Sequence, residues 1–306
     1  MQESSNEGRA FTWCAALLAG LACLANEWVL RLASPDGTLA DSTRVLVRCA
    51  QAGLLAVAAL VFLLRVRLPH LFQNEGRAMA VLLVLGIVIR VAVFPTLGPD
   101  NNDPHREVVE YVVEHGWTPT ADEATLGFQP PLYYLLAAPW ALAGSAKLTQ
   151  FFSLLLSLAN LLLLYRLLRT TKLLRDPRAR CHAFALVALL PQFILFGLFV
   201  SNDALGFLLG SVIFSQTLLY VDRPTGGRLF GLGVALGLGL LTKGTFTAFV
   251  PVLLTLVVVL GLRRRLSLAA HARALALLAV PALGLGCYKF VKNYVQFGTQ
   301  IGRAHV

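Results

Sequence analysis

The chain has 306 residues, 57% of them hydrophobic and 14% charged, with a mean hydropathy of +0.70 and a formal net charge of +10. These values exclude the soluble globular and disordered classes and leave an all-α polytopic membrane protein. The basic excess sits in short clusters between apolar runs, where it orients helices in a bilayer, so it does not imply a nucleic-acid partner.

A crossing needs about 20 apolar residues. Nine segments are read as spans: about 11–33, 45–64, 78–97, 148–168, 181–200, 204–221, 228–242, 245–262 and 272–290, the seventh being short. Glu3 and Glu7 precede the first, and no small-residue cleavage site follows it, so it is expected to be a span rather than a removed signal peptide. Cys14, Cys23, Cys49, Cys181 and Cys287 lie in or beside apolar segments without CxxC spacing, which favours neither zinc nor a disulfide framework.

One long polar excursion, 98–134, interrupts the hydrocarbon. It holds seven carboxylates (Asp100, Asp103, Glu107, Glu110, Glu114, Asp122, Glu123) and a single basic residue, Arg106. After Asp103-Pro104, the positions His105, Val108, Val109, Val112 and Val113 keep helical spacing while the glutamates point elsewhere. This predicts an amphipathic helix lying on the membrane, with Asp103 as N-cap and Pro104 at the first helical position. One oxygen of such a carboxylate can cap while the other accepts a proton. His105 reads either as a structural hydrogen-bonder or as a proton relay or ligand. Gln129-Pro130-Pro131-Leu132-Tyr133-Tyr134 reads as a rigid loop entering the interface, its tyrosines suited to the headgroup belt. Pro131 to Gly144 is apolar but brief and broken by Pro139, so an interfacial or half-buried helix is expected there.

Arginine clusters set the expected orientation. Arg166, Arg169, Lys172, Arg175, Arg178 and Arg180 mark one inside loop, Arg65, Arg67 and Arg77 another, and Arg263, Arg264 and Arg265 a third. Nine spans satisfy these clusters with the N-terminus cytoplasmic and the acidic stretch extracytoplasmic. The same parity brings Ser201-Asn202-Asp203 and Thr242-Lys243-Gly244 to the outer face. Asp203 fits a helix cap. Lys243 stands between apolar runs, where an ammonium either snorkels to the interface or meets an anion such as phosphate. Arg90, in the outer half of the third span, invites the same argument. Spread carboxylates give weak grounds for a divalent cation, so no metal or cofactor is expected. Intramembrane charge also fits a transporter or flippase, although the ionisable groups gather at one face and no inverted repeat is visible; a non-catalytic membrane subunit is a third reading.

Four stretches in order resemble the polyprenyl-phosphate-sugar-dependent GT-C glycosyltransferases, which include protein O-mannosyltransferases and aminoarabinose transferases. They are Asn102-Asp103-Pro104-His105 with Glu114-His115-Gly116, then Gln129 to Tyr134, Phe199 to Asp203, and Gly239 to Gly244 with Pro251; Lys292-Asn293 ahead of Phe297-Gly298 is a weaker fifth. The resemblance implies a GT-C type bundle with interfacial helices in a large outer loop that bears a catalytic acid. On this reading 1–77 supplies two additional helices, 78–298 is the GT-C-like module, and 98–147 is the outer loop. Many relatives carry their acid several residues before the histidine, where this chain has Asn101 and Asn102, leaving Asp100 and Asp103. Asp103 is preferred because it adjoins the helix.

The implied partners are a polyprenyl-phosphate-linked sugar donor, the membrane, and a lipid, glycan or protein acceptor. The implied reaction is an inverting transfer with Asp103 as base. Lys243, with Arg90 and Lys292, would face the donor phosphate, and His105, Gln129, Tyr133, Asn202 and Asp203 would shape the substrate pocket. The tail 301–306 (IGRAHV) matches the in-frame translation of a common sequencing adapter, so 299–306 is expected to be foreign to the fold and the natural chain to continue further.

Overall fold

The computed structural model describes residues 74–100, 103–171 and 174–298, together with 12–21 and a few isolated positions before residue 74. The tail 299–306 and most of the expected spans at 11–33 and 45–64 lie outside the described residues. Two compact units divide the chain, Met1–Ala80 and Val81–Val306. In the first lies a short apolar helix, Thr12–Leu21.

Every described element is helical. After α1 (Glu75–Val93) come α2 (His105–His115), α3 (Leu132–Leu142), α4 (Ala146–Thr170), α5 (Pro177–Leu189), α6 (Pro191–Phe196), α7 (Asn202–Asp222) and α8 (Gly226–Leu240). A 3-10 turn, Gly244–Ala248, leads into α9 (Phe249–Arg263), and α10 (Leu268–Gly286) and α11 (Tyr288–Phe297) follow. Five segments are long and apolar enough to cross a membrane: Glu75–Val93, Ala146–Thr170, Asn202–Asp222, Gly244–Arg263 and Leu268–Gly286.

Among the described residues, that is fewer than the nine expected. The expected span at 181–200 is split because Leu190, immediately before Pro191, adopts an extended conformation (φ −62°, ψ 118°) and separates α5 from α6. Proline disfavours a helical residue before it and cannot donate to the preceding turn. The short seventh segment becomes α8, with 15 residues.

Glycine explains the packing of α8. A Cβ at Gly233 would lie 2.4 Å from the Leu278 carbonyl oxygen, and one at Gly237 would lie 2.8 Å from that of Pro281. Four positions apart, these two glycines share one helix face and let α8 and α10 approach backbone to backbone.

Arg90 takes part in the bundle's interior rather than in its polar end. It is 2% exposed, with Nε donating to Ser157 Oγ at 3.0 Å and Nη1 donating to the carbonyls of Gly86 at 3.0 Å and Ala188 at 2.8 Å. It thereby ties α1 to α4 and α5.

Helices α2 and α3 occupy the region expected to lie outside the bilayer. Helix α3 has 11 residues, about 16 Å at 1.5 Å per residue, too short to cross. It runs through Pro139 rather than breaking there. The apolar stripe of α2 is turned inward: Val108, Val109 and Val112 pack with Tyr133, Tyr134, Ala137 and Ala138 in the main core, and Glu107, Glu110 and Glu114 remain exposed. The valines therefore face protein, and α3 takes up the face that the sequence alone assigned to lipid.

The start of α2 also differs from the expected cap. The cap residue is Pro104, with no side-chain cap hydrogen bond, and the Asp103 contribution is its carbonyl, which accepts from His105 N at 2.9 Å. A proline ring in the cap position (φ −80°, ψ 46°) moves the aspartate one residue further out than the N-cap reading requires.

Candidate active site

Loops and helix starts from distant parts of the sequence are stitched together at one end of the bundle. Leu132 N donates to the Leu241 carbonyl at 2.9 Å, joining the Gln129 to Tyr134 loop to the Gly239 to Gly244 turn. Asn202, fully buried, donates through Nδ2 to the Thr242 carbonyl at 3.2 Å and to Gln129 Oε1 at 3.3 Å. Three of the sequence stretches are thus fixed to one another by a single amide.

Helix α11 adds two further ties: Lys289 Nζ donates to the Pro119 carbonyl at 2.8 Å, and Asn293 Nδ2 donates to the Phe128 carbonyl at 2.9 Å. Gly127 closes the loop between them. A Cβ there would lie 1.9 Å from the Thr120 carbonyl oxygen, so the loop can fold back on itself only with glycine at this position.

Asp203 and Lys243 form an ion pair at the centre of this end. Ser201 caps α7 by accepting from Asp203 N at 3.2 Å and donates its own hydroxyl to Asp203 Oδ2 at 3.0 Å. The carboxylate is held from both sides, so the ammonium it faces has a fixed position. Lys243 lies where two cavities meet. One, of about 410 Å³, is lined by Gln129, Lys243, Lys289 and Asn293 among others. The other, of about 460 Å³, runs from Asp203 and Lys243 along Gly206, Gly210, Phe207 and Phe214 and is mainly apolar.

His105 is 4% exposed and shares a 2.8 Å hydrogen bond between Nδ1 and the Tyr134 hydroxyl. Burial pushes its pKa down to about 4; Asp203 and Asp103 oppose the shift and Lys243 adds to it. Asp103, Asp203 and Lys243 therefore all lie within electrostatic reach of one imidazole, which is neutral at pH 7.

A pH dependence follows. With the folded value near 4 and the ordinary value at 6.5, the unfolded chain binds a proton that the folded chain refuses between those limits, so stability falls as pH drops through that window. The expected contribution is roughly 1–3 kcal/mol. The difference in unfolding temperature between wild type and His105→Gln should shrink between pH 6.5 and 4. A difference that stays constant would show that His105 is not held neutral.

The remaining expected residues are placed unevenly. Gln129, Asn202, Asp203 and Lys243 are brought together. Tyr133 is buried with its hydroxyl 2.8 Å from Ser153 Oγ on α4, and it is its neighbour Tyr134 that meets His105. Lys292 is half-buried and bears on Glu123, whereas Lys289, three residues earlier, lines the cavity shared with Gln129, Lys243 and Asn293. Burial lowers the Lys289 pKa to about 8, the Lys292 charge adding to the shift and Glu123 opposing it. Arg90 is engaged within the bundle. Asp100, the alternative acid, pairs with Arg106 at 3.0 Å. Among the described residues no group of three or more His, Cys, Asp or Glu side chains is arranged to hold a metal ion.

Tyr134, Lys289 and Ser201 carry site geometry that sequence reasoning did not assign to them. The signal for Lys289 was available, because it closes the apolar run that becomes α10 and lies one helical turn before Lys292.

A family model described as dolichyl-phosphate-mannose-protein mannosyltransferase matches residues 129–284, just over half of the chain. The matched stretch contains Gln129, Asn202, Asp203 and Lys243; Asp103 and His105 precede it and Lys289 follows it. No curated protein and no solved structure matches the chain. The transporter reading gives way, and the chain belongs to the dolichyl-phosphate-mannose-protein mannosyltransferase family, membrane glycosyltransferases that draw their sugar from a lipid-phosphate donor.

Proposed function

We propose that the protein transfers a sugar from a polyprenyl-phosphate donor to an acceptor hydroxyl or amine at the extracytoplasmic end of a nine-span GT-C bundle, with inversion. The observation that carries this reading is the position of Lys243 where a cavity lined by Gln129, Lys289 and Asn293 meets a more apolar one. A donor with a hydrocarbon tail, a phosphate and a sugar needs those three environments in that order.

The tail lies along Gly206, Gly210 and the surrounding phenylalanines, the phosphate meets Lys243, and the sugar reaches toward Gln129, His105 and Asp103. Asp103 accepts the acceptor's proton while the acceptor oxygen or nitrogen bonds to the anomeric carbon. The bond from that carbon to the phosphate oxygen breaks, and its electron pair leaves with the polyprenyl phosphate. Lys243 and Lys289 offset the charge gained there. Neutral His105, fixed by Tyr134, shapes the sugar pocket without competing for the phosphate.

The groove supplies the test. A Cβ at Gly210 meets no atom within 4 Å, so leucine there would occupy the groove without displacing the protein. With labelled donors, Gly210→Leu should raise KM for a long-chain polyprenyl-phosphate sugar by about tenfold and leave kcat nearly unchanged, because only uniform binding is lost. A short-chain donor should be little affected. Equal changes for both donors would remove the tail from this groove.

A further inference from the structure

A third cavity, of about 370 Å³, opens at the other end of the bundle, among the ends of α7, α8, α9 and α10. It is lined by Tyr220, Gly226, Leu260, Arg264, Arg273 and Leu277, among others. Seventeen residues of α7 separate Asp203 from Tyr220, roughly 25 Å at 1.5 Å per residue, so this cavity is remote from the proposed transfer site. We propose that it binds the phosphate headgroup of an anionic membrane phospholipid, with Arg264 and Arg273 as its cations.

The arginines at this end are used differently. Arg228 donates to the carbonyls of Leu219 and Arg223, closing the end of α7, and Arg223 pairs with Asp222 at 3.8 Å. Asp176 is engaged as the cap of α5, accepting from Arg178 N at 3.0 Å. Arg264 and Arg273 come from α9's end and from α10, line the same cavity, and have no carboxylate or carbonyl partner for their guanidinium groups among the described residues. Arg264 and Arg273 are both exposed and solvated, but facing one cavity they offer a paired donor set, and phosphate oxygens match that geometry.

The surroundings identify the anion's source. Leucines and alanines make up most of the remaining lining, and Leu262 and Leu268, on either side of the arginine run, are 65% and 87% exposed. Exposed leucines beside arginines at the ends of membrane-crossing helices mark the boundary between acyl chains and headgroups. A free phosphate gains nothing from those leucines, whereas a glycerophospholipid places its phosphate between the arginines and its chains against the apolar wall. Basic pockets between transmembrane helices recognise anionic headgroups on these terms.

The experiment uses the full chain in detergent and native mass spectrometry with dioleoyl phosphatidylglycerol, dioleoyl phosphatidylcholine, or inorganic phosphate. Arg264→Gln/Arg273→Gln should weaken phosphatidylglycerol retention by about tenfold or more, the order expected for two charges near a headgroup, and leave phosphatidylcholine unchanged. Arg263→Gln/Arg265→Gln removes the same charge from residues that do not line the cavity and should change little. Ala274→Trp, which fills the cavity and keeps both arginines, should reproduce the loss, and an unchanged size-exclusion profile confirms folding. Equal losses in the two arginine pairs would overturn the site in favour of diffuse surface attraction, and competition by inorganic phosphate at the lipid's own concentration would overturn the lipid assignment.

Discussion

Asp103→Asn is expected to lower kcat for sugar transfer by about 10²–10⁴, the range for losing a positioned general base, with little change in donor KM. Asparagine keeps the size and the backbone at this exposed position, so a large loss would report chemistry rather than folding. Engagement does not single out one carboxylate: Asp100 pairs with Arg106 at 3.0 Å, Asp203 is held by Lys243 and Ser201, and Asp103 has contacts of its own. Asp103 is preferred because it precedes the helix that carries His105 and acts electrostatically on the same imidazole as the Asp203–Lys243 pair. Parallel measurement of Asp100→Asn and Asp203→Asn makes the assignment discriminating. Should Asp103→Asn retain full transfer while Asp203→Asn loses it, the base is on α7 and the donor phosphate must free it from Lys243.

Lys243→Met should reduce kcat/KM by about 10²–10³, comparable to removing one preorganised donor from a developing oxyanion. The single variant leaves Asp203 partly buried without its counter-ion, which itself is destabilising. The double variant Asp203→Asn/Lys243→Met removes that penalty and should recover thermal stability without recovering transfer. Lys243→Arg keeps the charge and should restore part of the rate. Full transfer by the folded double variant would exclude Lys243 as the phosphate cation and shift that role to Lys289, a residue lining the same cavity.

The helical character of the chain and the order of its polar stretches were readable from sequence because they rest on local patterns. A run of about 20 apolar residues must satisfy its own backbone in a bilayer, and a helix does so without reference to the rest of the chain. The valine stripe of α2 was equally legible from its spacing. Its partner was not, since a stripe of valines is equally compatible with lipid and with α3. The split at Pro191 was visible as a proline within an apolar run, yet hydropathy averages over such a break and registers one continuous span.

What sequence alone determined is the all-helical, membrane-type character of the chain and the stretches Gln129 to Tyr134, Ser201 to Asp203 and Thr242 to Gly244 as its polar interruptions. What only the tertiary structure decided is the direction of each side chain: Tyr134 rather than Tyr133 toward His105, Lys289 rather than Lys292 to the cavity beside Lys243, Arg90 into the bundle, and Asp203 against Lys243. The reason is geometric. Successive residues on a helix point about 100° apart, so a neighbour in sequence faces a different neighbour in space. Which face meets the site depends on contacts between segments up to 170 residues apart, such as Lys289 with Pro119, and no local pattern encodes them.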